Sequence, residues 1–502
     1  MNDQPVISQL PSGVPGLDAL LGGGLAEFSF NMIAGEPGVG KTTLGHQIMF
    51  TLATPQRKAL FFTVLGEPAM KMLRYQQQFS WFDAAKLEDS IRYVNLSDEL
   101  VSGDFDVILA RIEQEVRSYA PGLVFVDSFR SMALTAQGGS DNAADLRIFT
   151  QRLGIFLSSW QATTFLIGEY ETLAGSGNPV ATVADGVLML SQNLHQDSMV
   201  RKIEVKKVRG QAHLPGRHTY RINRDGIHVF PRTLHVSPTP EDKALVARQA
   251  DAPRLSMGIP VLNEMMGGGL PAGFSLLIAG PSGSGKSMLA TEFILEGLRA
   301  GEKGVVAAFE KSPGRSRNPQ LDKLVARGQV EVIDMRALDL SIDETLYELT
   351  QSIRRSGAMR VVIDSLAGFE LALAPNFRAD FREALYRLVA VLTGMGATVL
   401  LVSELEDRYT DLRFSPSGEA FLTDAIIVQR YVELGGKLRR VIAVVKVRNS
   451  EHSNDLRFFD ITKDGLVIGE PTPDVQSMLT GHPTIAADPT AGNRPSSTPR
   501  ER

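Results

Sequence analysis

The chain has 502 residues, carries a net charge of −5 and contains no cysteine. With 43% hydrophobic and 22% charged residues it reads as an ordinary globular protein of about two to four domains. The lack of cysteine excludes disulfides, thiolate metal sites and cysteine nucleophiles and fits a reducing cytoplasm. The mildly acidic balance argues against a dedicated nucleic-acid surface.

Residues 1–13 have neither the basic start nor the apolar core of a signal peptide. The longest uncharged apolar stretch, Leu388 to Ser403, is interrupted by Gly394 and Gly396 and is too short for a membrane span. A membrane role is therefore not expected.

The first organised segment is Gly13-Val14-Pro15-Gly16-Leu17-Asp18, followed by Gly22-Gly23-Gly24-Leu25. An apolar run, Phe28 to Ala34, then predicts a strand that feeds Gly35-Glu36-Pro37-Gly38-Val39-Gly40-Lys41-Thr42-Thr43, and a helix is expected from Lys41 towards Leu52. Strand, glycine-rich turn and helix N-terminus form the context of a phosphate loop. Gly35, Gly38 and Gly40 let the backbone approach a phosphate chain, and the helix adds about +0.5 charge at its N-terminus. Lys41 would reach the β- and γ-phosphates of a bound nucleotide. The Thr42 hydroxyl would complete the coordination of Mg²⁺.

A second strand, Ala59 to Leu65, ends at Gly66-Glu67-Pro68, and a third, Leu123 to Val126, stops at Asp127-Ser128. An acid at the carboxyl end of a strand can hold a metal-bound water near the phosphates of an open α/β sheet. A run from Thr164 to Gly168 precedes Glu169. Asp185-Gly186-Val187, Lys207-Val208-Arg209 and Asp225-Gly226 follow in a β-rich stretch.

The whole order then recurs. Gly258-Ile259-Pro260-Val261-Leu262-Asn263 and Gly267-Gly268-Gly269-Leu270 lead to Gly280-Pro281-Ser282-Gly283-Ser284-Gly285-Lys286-Ser287. Gly280, Gly283, Gly285 and Lys286 repeat the phosphate contacts, and Ser287 repeats the Mg²⁺ hydroxyl. Glu310 ends the next strand and Asp364-Ser365 the one after, Glu404 follows Val399 to Ser403, and Lys446-Val447-Arg448 comes late. The duplication is of a domain, not of a motif. Alternating strands and helices predict an α/β fold, each half a mostly parallel sheet flanked by helices and closed by antiparallel strands. The expected domains are 1–235 and 256–475, joined by a Pro-bearing linker, 236–255. Residues 476–502, rich in Pro, Thr and Ser, are expected to be a disordered tail.

Taken together these residues resemble the KaiC family, the circadian clock ATPases with two RecA-like P-loop NTPase domains in tandem. The resemblance covers about residues 8–470 and is most specific in Gly280 to Ser287, in Thr423 to Glu433 and in Val445 to Arg448. It implies a homo-hexameric ring with ATP between subunits in two tiers, slow hydrolysis in both, and autophosphorylation in the second. Lys41, Thr42, Lys286 and Ser287 would bind ATP and Mg²⁺, and Glu67 and Glu310 would polarise the attacking group. Lys207, Arg209, Lys446 and Arg448 would reach the γ-phosphate from the adjacent subunit. Two departures stand out. The family's paired glutamates are reduced to Glu67, one residue late relative to Pro68, and to Glu310, which is in register. The Ser-Thr phosphoacceptor pair is replaced by Ala420 and Phe421, leaving Ser415, Ser417 and Thr423 as the nearby hydroxyls for any residual autokinase.

The resulting expectation is an ATPase in a timing or signalling role, with a regulatory protein as possible partner. A nucleotide-gated assembly scaffold with little turnover is the alternative. A DNA recombination or helicase-type motor is disfavoured, because no basic stretch interleaved with aromatics is present.

Overall fold

A computed structural model describes residues 8–63, 69–101, 104–128, 142–170, 179–195, 198–232, 253–309, 319–334, 340–378, 381–405, 421–434, 436–462, 465–472, 475–476 and 484–485. The chain divides into two compact units, Met1–Thr233 and Leu234–Arg502. No helix among the described residues is long and apolar enough to cross a membrane.

In the first unit a short antiparallel pair, β1 (Gln9–Leu10) and β2 (Leu25–Ala26), precedes a nine-stranded sheet. Its strands are β3 (Phe30–Gly35), β4 (Ala59–Thr63), β5 (Ile91–Asn95), β6 (Leu123–Asp127), β7 (Thr163–Glu169), β8 (Gly186–His195), β9 (Ser198–Val208), β10 (Arg217–Asn223) and β11 (Gly226–Phe230). They lie in the order β11-β10-β9-β8-β3-β7-β6-β4-β5. The pairs from β8 through β3 to β5 are parallel, and β8 to β11 are successively antiparallel.

The inner parallel strands β3, β4, β6 and β7 are buried on both faces, as expected when helices cover both sides of a sheet, whereas the edge strand β5 exposes Arg92 and Asn95. Alternation assigns their side chains to two cores. Ile33, Phe61 and Phe125 pack with Leu44 and Ile48 of the helix Lys41–Leu52. Met32, Phe62, Val124 and Val126 pack on the other face with Ile108 and Ile112 of Phe105–Tyr119 and Leu153 of Asn142–Ser159. The expected strand start at Phe28 falls two residues early. Phe28 has φ 61° and is 44% exposed, so it belongs to the turn, and the strand proper begins at Phe30.

The second unit repeats this plan. β12 (Arg254–Leu255) pairs with β13 (Leu270–Pro271). The nine-stranded sheet comprises β14 (Ser275–Gly280), β15 (Gly304–Ala308), β16 (Val330–Asp334), β17 (Arg360–Asp364), β18 (Thr398–Glu404), β19 (Ala425–Leu434), β20 (Lys437–Val447), β21 (Arg457–Thr462) and β22 (Gly465–Pro471). Their order is β16-β15-β17-β18-β14-β19-β20-β21-β22, the mirror listing of the first sheet. Even the register shift recurs, between Val187 and Leu188 in β8 and between Ile426 and Ile427 in β19.

The helices carry their own stop and start signals. Ile342–Ser356 opens with a reciprocal cap between Ser341 and Glu344 and closes on Gly357 at φ 67°. Beyond β22, Val475–Gln476 pairs with Thr484–Ile485. Most of the expected tail, and the expected linker up to residue 252, lie outside the described residues.

Candidate functional site: two phosphate loops

In the first unit the glycine-rich loop leaves the carboxyl end of the central strand β3 and enters the helix Lys41–Leu52. Gly38 and Gly40 hold φ of 78° and 93°. The φ of 93° favours glycine at position 40, and a Cβ there would also push on Ile222 Cδ1 of β10, 2.5 Å away. In the second unit Gly283 and Gly285 hold 75° and 103° between β14 and the helix Lys286–Arg299.

Both lysines fold back over their loops. Lys41 Nζ donates to the Glu36 carbonyl at 2.7 Å, and Lys286 Nζ donates to the carbonyls of Gly280 and Pro281 at 2.8 and 2.7 Å. Burial pushes both ammonium pKa values down. Glu169, Asp127 and Glu36 oppose this for Lys41, as do Glu404 and Asp364 for Lys286. A desolvated cation whose hydrogen bonds among the described residues go to neutral carbonyls gains from an anionic acceptor, and phosphate oxygens supply one.

Asp127 ends β6, and its Oδ2 accepts the Thr42 hydroxyl at 2.6 Å. Burial raises its pKa to about 6. Glu169 adds to the rise, and the Thr42 bond and Lys41 offset it. A carboxylate and a hydroxyl in contact, both hard oxygen donors, fit a divalent cation such as Mg²⁺. Thr43 follows Thr42 in the same helical turn. In the second unit Ser287 is exposed on the first turn of its helix, and Asp364 ends β17 next to Ala308 of β15.

The register adds two acids that the sequence reading treated only as strand boundaries. Glu169 stands opposite Gly35 and Glu404 opposite Gly280, each at the mouth of its loop. Their recurrence at the same point of both halves was the available signal.

The Lys-x-Arg pairs lie elsewhere. Val208 sits opposite Gly186, which sits opposite Asn31, four residues before the loop begins at Gly35. At about 3.3 Å per residue that is about 13 Å from the loop along the strand, and Arg209 continues away from it. The second unit repeats the arrangement, with Val447 level with Ala425 and Leu276, four residues before Gly280. At that far end Lys207 Nζ donates to the Ala181 and Thr182 carbonyls at 3.1 Å each, and Arg209 pairs with Asp185 at 3.1 Å. Lys446 donates to the Thr423 carbonyl at 2.6 Å, and Arg448 pairs with Asp424 at 3.0 Å. Burial and the neighbouring arginine lower the pKa of each lysine.

Glu67, Glu310, Ala420, Ser415 and Ser417 lie outside the described residues. Phe421 is 57% exposed, its carbonyl accepts from Arg448 at 3.1 Å, and the Arg382 guanidinium lies 5.1 Å from its ring centroid. Thr423 is fully buried.

Two α/β units, each with a phosphate loop at the carboxyl end of its central strand and an aspartate ending a strand two places away, define a tandem RecA-like P-loop ATPase. The sequence matches the family model described as "ATPase: KaiC" over residues 10–234 and again over 255–473, and the chain belongs to that family. It is 27% identical over 497 residues to the "Circadian clock protein KaiC3" of Synechocystis sp., spanning 96% of this chain and 95% of that protein. It is 26% identical to the "Circadian clock oscillator protein KaiC" of Thermostichus vulcanus, over 95% of this chain and 92% of that one.

Proposed function

We propose that the protein binds ATP with Mg²⁺ in both domains, at the boundaries between copies in a two-tiered homo-hexameric ring, and hydrolyses it slowly. The observation that carries this reading is the separation of each Lys-x-Arg pair from the phosphate loop of its own sheet. Cations about 13 Å from their own loop along the strand, at the opposite sheet end, meet a γ-phosphate when a neighbouring copy presents its loop to them. Lys207, Arg209, Lys446 and Arg448 would then stabilise charge on the transferring group, the role of an inserted arginine.

Within one copy, Gly35, Gly38, Gly40, Lys41, Thr42 and Thr43 would hold one triphosphate, and Gly280, Gly283, Gly285, Lys286 and Ser287 the other. Thr42 with Asp127, and Ser287 with Asp364, would hold Mg²⁺, which neutralises phosphate charge when bound. A water attacks the γ-phosphorus, the bond to the β–γ bridging oxygen breaks, and the water's proton passes to Glu67 or Glu310. The names of the relatives, circadian clock proteins, support a timing or signalling role; a regulatory protein partner and a cytoplasmic location belong to the same proposal. With Ala420 and Phe421 at the phosphoacceptor positions, phosphate leaves as free phosphate and the clock-type autokinase cycle is missing.

The altered glutamates, Glu67 one residue late and Glu310 followed by Lys311, favour a second reading in which ATP chiefly drives assembly. Incubation with γ-labelled ATP separates the two. Steady release of labelled phosphate supports the hydrolase, and tight binding with ring formation but negligible release supports the scaffold. Label retained on the protein would contradict the loss of the phosphoacceptor pair.

A further inference from the structure

The two domains lock their phosphate loops with different bonds, at the same place. In the first, the Tyr220 hydroxyl of β10 donates to the Val39 carbonyl at 2.5 Å, and both residues are buried. In the second, the position corresponding to Val39 is Ser284, whose hydroxyl donates to Gln429 Oε1 of β19 at 2.9 Å, again with both buried. The position corresponding to Tyr220 is Phe459 of β21, and the one corresponding to Gln429 is Leu190 of β8. Three positions have therefore exchanged character together. Val39, Leu190 and Tyr220 in one domain become Ser284, Gln429 and Phe459 in the other, and each set contributes one buried hydrogen bond from sheet to loop.

We propose that Tyr220 and the Ser284–Gln429 pair are positioning residues that hold each phosphate loop in its phosphate-accepting shape, one through the backbone and the other through a side chain. This rests on the reading of both loops as ATP sites. In a trans peptide the carbonyl and the following N–H point in opposite directions. Fixing the Val39 carbonyl on Tyr220 turns the Gly40 amide away from β10, towards the side where a phosphate would be met. Burial keeps the Tyr220 phenol protonated, well above its ordinary pKa, so it remains a donor at all working pH values. In the second domain Phe459 has no hydroxyl to offer the Ser284 carbonyl and the lock runs through the Ser284 side chain, so the Ser284–Gly285 peptide retains more freedom to turn. The two tiers then differ in how strongly a single substitution uncouples loop shape from nucleotide affinity.

The test uses the full chain with Lys286→Ala, so that the first loop alone is competent, and compares Tyr220→Phe with the parent by titrating ADP–Mg²⁺ and ATP–Mg²⁺. Phe fits this site, because Phe459 fills its counterpart at 2% exposure. The expected result is a dissociation constant raised about tenfold for both nucleotides, since without the Tyr220 bond the nucleotide-free loop relaxes from its phosphate-accepting shape, its carbonyl turning to water, and binding must restore that shape. The thermal shift on adding nucleotide should shrink while the nucleotide-free melting temperature moves little, a split that a merely structural role would not give. In the reciprocal Lys41→Ala background, Ser284→Ala should raise the second domain's constant while Tyr220→Phe leaves it unchanged. Affinities within twofold of the parent in both backgrounds would overturn the latch. If instead Lys41→Ala itself left first-domain binding intact, the reading of the loop as an ATP site would fail, which is a different result.

Discussion

The Thr42 hydroxyl donates to the Asp127 carboxylate across 2.6 Å, joining the first turn of the phosphate-loop helix to the end of the strand β6. Eighty-five residues of chain separate the two, and a parallel sheet brings them together because both loop and acid emerge at the carboxyl ends of their strands. Removing the carboxylate charge as Asp127→Asn should raise the Mg²⁺ concentration for half-maximal ATP binding by roughly 10–100-fold in the first domain. Mg²⁺ titrations in the Lys286→Ala background check this. An unchanged midpoint would remove Asp127 from the metal's surroundings.

Lys41→Ala and Lys286→Ala should each abolish ATP binding in one domain and leave about half of the total nucleotide stoichiometry. Equilibrium dialysis with labelled ATP measures it directly. Two sites remaining in either variant would mean that the lysines do not hold the triphosphate.

The turn after Thr42 carries His46, fully buried against Phe61 with ring centroids 4.5 Å apart and with Nδ1 2.8 Å from the Thr42 carbonyl. Burial depresses its pKa from 6.5 to about 4, with the Thr42 bond a smaller opposing effect. Between those values the unfolded chain binds the extra proton, so the stabilisation present above about pH 6.5 is lost as the pH falls towards 4, up to about 3 kcal/mol. Nucleotide-free protein should therefore melt earlier at pH 5 than at pH 7.5, and His46→Phe should flatten that slope. A slope unaltered in the variant would assign the acid lability to other groups.

Gly40→Ala should cost the first domain its nucleotide affinity as well as about 1–2 kcal/mol of stability, because φ 93° strains any residue with a Cβ and the end of the Ile222 side chain, 2.5 Å away, would have to shift. Urea unfolding with and without ATP–Mg²⁺ separates the two effects. Wild-type affinity in a folded variant would show that the loop tolerates another shape.

Much of this architecture was readable in the sequence for a physical reason. Phosphate loops need glycines, a lysine and a hydroxyl at fixed spacing, and buried parallel strands need continuous apolar runs, so both left local signals, each twice. Other features are invisible locally. That Glu169 stands opposite Gly35 depends on strand register, and no composition rule reports register. The distance of Lys207 and Arg209 from their own loop follows from β9 running antiparallel to β8, a reversal fixed by the hairpin between them. Phe28 looks like part of β3 in the sequence because it is apolar and next to the strand, whereas its positive φ and exposure place it in the turn before. Tyr220 gave no signal at all. Its hydroxyl acquires meaning only when β10 is brought beneath Val39.

The most direct test of ATP bound between copies is complementation by mixing. All subunits carry Lys286→Ala. One set adds Lys41→Ala and the other adds Lys207→Ala with Arg209→Ala, and the two are mixed before ATP–Mg²⁺ is supplied. Each set alone should be inactive, and an equal mixture should recover about a quarter of the parental phosphate release, because each interface draws its loop and its cations at random. No recovery on mixing, or full activity in the set lacking Lys207 and Arg209, would contradict a site completed by the neighbouring copy.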